Sequence, residues 1–102
     1  AKGSRVPKYA ILMNWTDKGV ASAKDSVNRY RAAKQLLESK GGSFDAIAWT
    51  IGPYDLVAII DVPDEETAAA FNLQLAASGN LRSVTMRAFN EDEMSGIIGK
   101  ID

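Results

Sequence analysis

Seven side chains are placed to do chemistry: Asn14, Trp15, Trp49, Tyr54, Asp55, Thr85 and Arg87. Asp55 beside Arg87 would be a general base next to a cation able to hold an anionic ligand. Tyr54 would donate a hydrogen bond, and the two indoles would stack on a planar molecule. Together they outline a pocket for a small organic ligand between a sheet and its helices. Each also has a structural reading. An aspartate in a tight turn bonds its own backbone, Tyr and Arg are enriched at protein interfaces, and tryptophan fills cores. The structural reading is preferred, and no residue is assigned as catalytic.

What is missing narrows the chemistry further. The chain has no histidine and no cysteine. That removes the commonest general base, thiolate catalysis, disulfides, zinc fingers, iron–sulfur clusters and the usual haem ligand. No cofactor or transition metal is expected. Asp64, Glu65, Glu66, Glu91, Asp92 and Glu93 fall at helix starts, where the helix dipole explains them. Asp17 and Asp61 complete no calcium-loop spacing.

At 102 residues the chain makes one domain, and 46% apolar content excludes disorder. Twelve basic residues nearly balance thirteen acidic ones. Nucleic acid is therefore not an expected partner, and self-association is favoured. No apolar run is long enough to cross a membrane. The lack of cysteine fits a cytoplasmic protein. Ala1 fits either removal of a methionine or cleavage of a longer leader.

The elements must position these groups. Residues 1–7 read as a flexible polar arm carrying Lys2 and Arg5, and residues 8–102 as the domain. Residues 8–15 alternate Tyr9, Ile11, Met13 and Trp15 with Ala10, Leu12 and Asn14, so both faces of a central strand are largely apolar. A loop or short helical turn runs to Lys24. Residues 25–40 read as a helix capped by Asp25 or Ser26, with Val27, Tyr30, Ala33 and Leu37 inward and Arg29 outward. Gly41-Gly42 ends it. Strands follow at 43–51 and 54–62, joined by a Gly52-Pro53 turn. On the first of these Ile47, Trp49 and Ile51 share one face, and Phe44, Ala46 and Ala48 the other. The second runs Leu56, Val57, Ala58, Ile59 and Ile60 with no solvated face.

Asp64, Glu65 and Glu66 open a second helix, with Ala68, Phe71 and Leu75 buried and Gly79-Asn80 as its end. Residues 81–89 form a fourth strand, apolar at Val84, Met86 and Ala88 and polar at Ser83, Thr85 and Arg87. Asn90 and Glu93 make a capping box, and Met94, Ile97, Ile98 and Ile101 repeat at helical spacing.

The order is β-α-β-β-α-β plus a terminal helix, the ferredoxin-like α+β arrangement. Right-handed crossovers put both long helices on one face of an antiparallel sheet. The other face carries large apolar groups that a monomer would leave exposed. Two such sheets packed face to face, a dimeric α/β barrel, would cover them.

The chain resembles the GYD-domain family of small bacterial and archaeal proteins. The resemblance rests on Leu12-Met13-Asn14-Trp15-Thr16-Asp17-Lys18-Gly19, on Gly52-Pro53-Tyr54-Asp55-Leu56-Val57 and on Arg87-Ala88-Phe89. It implies a ferredoxin-like fold and dimers or larger rings. It implies no reaction, because folds host many activities. The family is similar to the dimeric α/β-barrel superfamily, whose relatives include cofactor-free monooxygenases, lactone isomerases and haem-binding enzymes, and the haem binders need an axial histidine that is absent here. The leading expectation is a non-catalytic homo-oligomer making contacts through its open sheet face. The alternative is a cofactor-free small-molecule enzyme or binder.

Overall fold

A computed structural model describes residues 6–102. Strand β1 (Lys8–Trp15) leads to a short helix α1 (Asp17–Ala21), a 3-10 turn (Ala23–Asp25) and helix α2 (Ser26–Ser39). Strands β2 (Ser43–Trp49) and β3 (Leu56–Asp61), helix α3 (Glu65–Ala77), strand β4 (Leu81–Ala88) and helix α4 (Glu91–Ile98) follow. The sheet runs β2-β3-β1-β4, antiparallel throughout. This is the ferredoxin-like α+β fold. The two strands with apolar residues on both faces, β1 and β3, take the centre, where neither has an open edge. The arm expected at 1–7 falls mostly outside the described residues. Pro7 already joins the sheet, its carbonyl accepting from the Val62 N–H at 3.0 Å.

One face of the sheet meets α2 and α3. Ile11 and Met13 of β1 and Leu56, Ala58 and Ile60 of β3 are buried there with Val62, Leu37, Ala68 and Phe71. Asp64 caps α3 by accepting from the Thr67 N–H at 2.8 Å and its hydroxyl at 2.7 Å. Gly79 ends the connection to β4 at φ +79°, a left-handed conformation that glycine takes without strain.

The second strand departs from simple alternation. A bulge at Asp45 pairs Phe44 with Ile60 but Ala46 with Ile59, so the side chains before and after it change phase. Phe44 therefore turns to the helices, together with Ile47 and Trp49. There it meets Tyr30 edge-on at 5.1 Å and Phe71 at 6.0 Å. The strands also stop short of the Gly52-Pro53 turn. Residues 50–55 form the connection, closed by the Thr50 N–H to the Asp55 carbonyl at 2.8 Å and the Thr50 hydroxyl to the Tyr54 carbonyl at 2.6 Å. Ile51 is consequently fully exposed.

The start of α2 differs too. Asp25 holds the cap position without a side-chain cap bond, and Val27 is exposed. Ser26 takes the inward position instead, because its hydroxyl accepts from Trp49 Nε1 at 2.8 Å.

Candidate functional site

Strand register fixes the face opposite α2 and α3. Ala10, Leu12 and Asn14 of β1 align with Val57 and Ile59 of β3, with Ala46 and Ala48 of β2, and with Arg82, Val84 and Met86 of β4. The middle of this open face is an apolar band, with Val84 and Met86 exposed. Its two ends are polar. At one end Lys8 Nζ bonds Asp61 at 2.7 Å and Asp45 at 3.0 Å. The Asp61 contact foremost, with help from Asp45, raises the lysine's pKa above its ordinary value, and partial burial only offsets this. At the other end Asp55 Oδ2 accepts from the Trp15 N–H at 2.9 Å and from Asn14 Nδ2 at 3.4 Å. Asn14 also donates to the Pro53 carbonyl at 2.8 Å.

The seven side chains singled out in the sequence do not share one pocket. Asn14, Trp15 and Asp55 meet, but as a clamp that ties the β2–β3 connection to the end of β1, with the Asp55 N–H on the Met13 carbonyl at 2.8 Å. Tyr54 lends that connection its carbonyl. Trp49 sits under α2, edge-on to Tyr30 at 5.8 Å. Thr85 accepts from Asn72 Nδ2 of α3 at 2.6 Å. Arg87 lies at the opposite end of β1 from Asp55. It bonds the carbonyls of Lys8 and Ala88, stacks over Phe89 at 4.6 Å and approaches Glu93 at 3.6 Å. A general base paired with a cation is therefore not assembled from Asp55 and Arg87.

A cavity of about 290 Å³ opens elsewhere, between α2 and α3 and above the helix-side face of the sheet. Of the seven, Trp15 alone lines it. Its walls are mainly apolar, from Tyr30 and Leu36 of α2 to Leu75 of α3 and Ile47 of β2. Arg29 lines it as well, although helical periodicity put that residue on the solvent side. Two small residues, Ala32 and Ala33, were the available signal, since they leave room where α2 faces α3. Among the described residues no group of three acidic side chains is gathered to hold a metal ion. No described helix is long and apolar enough to cross a membrane.

The chain belongs to the GYD-domain family, whose family model matches residues 9–98. It is also similar to a protein of Thermus thermophilus described as "Glutamine synthetase and cystathionine beta-lyase binding protein". The two are 29% identical over 84 residues, which span 81% of this chain and 88% of the relative. No solved structure matches the chain.

Proposed function

We propose that this member of the GYD family is a non-catalytic protein that pairs with itself through the open face of its sheet and docks on other proteins as that pair. The observation that carries the reading is the apolar band of Ala10, Leu12, Val57, Ile59, Val84 and Met86, on the face opposite α2 and α3. Contiguous apolar surface of this kind is rarely left to water. An apolar centre between polar ends, here Lys8 with its two carboxylates and the Asn14–Asp55 clamp, is the anatomy of a protein interface. Two copies packed face to face through it would make a dimeric α/β barrel. The relative's description as a binding protein for two enzymes supports partners that are proteins. The scattering of the candidate chemical groups disfavours a reaction on this face. The absence of cysteine agrees with work in the cytoplasm.

The test uses purified glutamine synthetase and cystathionine beta-lyase from the same organism as this chain. We expect the intact protein to bind at least one of them. A lysine at Ile59 should split the pair, because an unpaired charge in a dry interface costs about 3–5 kcal/mol, and should weaken enzyme binding with it. Enzyme binding that is unchanged in a monomeric Ile59→Lys would contradict docking as a pair. Failure of the intact protein to bind either enzyme would contradict the choice of partner.

A further inference from the structure

We infer that the cavity between α2 and α3 is a binding site for an amphipathic monocarboxylate, a medium-chain or aromatic acid whose carboxylate meets Arg29. The site lies on the other side of the sheet from the open face, and it adds a ligand to a reading built on protein partners.

Three observations carry the inference. The first is the space itself. Protein interiors are packed to crystal-like density, whereas this cleft of about 290 Å³, open to solvent, leaves mainly apolar wall that the fold itself does not cover. A space near this size is in the range of small-molecule pockets.

The second is how the lining is sorted. Ser26 and Arg29 come from the first turns of α2, and Gln74, Ser78 and Asn80 from the end of α3 and the residues just after it. Topology brings both to the end of the sheet where β1 finishes and β4 begins, beside Trp15 and Leu81. The cavity extends from there to Leu36, Phe44 and Ile47, which are apolar. It therefore has a polar end and an apolar end, as an amphipathic ligand does.

The third is the charge at the polar end. The Arg29 guanidinium is held by the Ser22 carbonyl at 2.8 Å, the Ser22 hydroxyl at 3.1 Å and the Gly19 carbonyl at 3.3 Å. Those bonds hold it at the end of α1 through neutral oxygens, and no carboxylate among the described residues forms an ion pair with it. Arginine fixed in this way suits a carboxylate. The start of α2 adds a favourable dipole and has no side-chain cap. Asp25, the nearest opposing charge on that helix, is exposed and does not line the cavity. Trp15, at the same end, has a buried Nε1 with no acceptor.

The probes are octanoate and 1-octanol, titrated into the intact protein and followed by calorimetry and, in a Trp49→Phe variant, by the fluorescence of Trp15. Octanoate should bind about tenfold or more tightly than octanol, the worth of one charge-assisted bond. Arg29→Met should erase that preference and leave octanol binding in place. Since Arg29 also steadies the end of α1, a second variant is needed. Ala33→Phe fills the cavity, and it should abolish binding of both probes while thermal melting shows a folded protein. No binding of octanoate at millimolar concentration, equal affinity for the two probes, or a preference that persists in Arg29→Met would each overturn the inference. None of these readouts depends on self-association, so they stand apart from the fate of the open-face reading.

Discussion

Lys8 joins two carboxylates from two neighbouring strands, Asp61 of β3 and Asp45 in the bulge of β2. The bond to Asp61 does most to raise its pKa above the ordinary 10.5. A base whose folded pKa is raised stabilises the fold fully below its unfolded pKa, and that contribution disappears as pH climbs through the raised value. Intact protein should therefore lose more stability above pH 10.5 than Lys8→Met does, read as the change in urea midpoint from pH 8 to pH 11. Equal losses would show that the triad does not contribute. At this scale the sequence told part of the story. Asp55 was expected to bond its own turn backbone, but its carboxylate accepts from the Trp15 N–H and Asn14 of β1, a partner that only the pairing of the strands supplies. The cavity role of Arg29 was not legible, because it depends on how far α2 and α3 stand apart, and that is set by residues on three separate elements.

The elements were legible where periodicity and end signals agree. The capping box that starts α4 is present: Asn90 Oδ1 accepts from the Glu93 N–H at 2.8 Å, and Glu93 accepts from the Asn90 N–H at 2.9 Å. This helix nonetheless leaves Met94 and Ile98 exposed, and it ends before Ile101, which is exposed too, so its cap matters more than its packing. Asn90→Ala should cost α4 about 1 kcal/mol. Hydrogen exchange in the amides of α4 should speed up, while the sheet keeps its melting temperature. A fall of the whole melting curve would mean that α4 packs more firmly than its exposed side chains indicate. The bulge at Asp45 was not legible. A one-residue insertion leaves the alternation of Phe44, Ala46 and Ala48 looking regular, and only pairing with β3 reveals that Phe44 has changed sides.

At the scale of the molecule, element order and crossover handedness were enough to give the sheet and the face its helices cover. The direction of β4 was harder. Its apolar set, Val84 and Met86, points away from α2 and α3, while polar Thr85 faces them and bonds Asn72. Within β4 alone either assignment is possible, and the register with β1 decides it. The consequence is a wider apolar band on the open face than strands β1 to β3 would give, and the central claim is that a second copy of the chain covers this band. Sedimentation at micromolar concentration tests that claim most directly, with intact protein and Ile59→Lys run side by side and circular dichroism confirming that both are folded. The account predicts a dimer or larger assembly for the intact chain and a monomer for Ile59→Lys. A folded monomer for the intact chain, or an assembly that Ile59→Lys leaves unchanged, would contradict it.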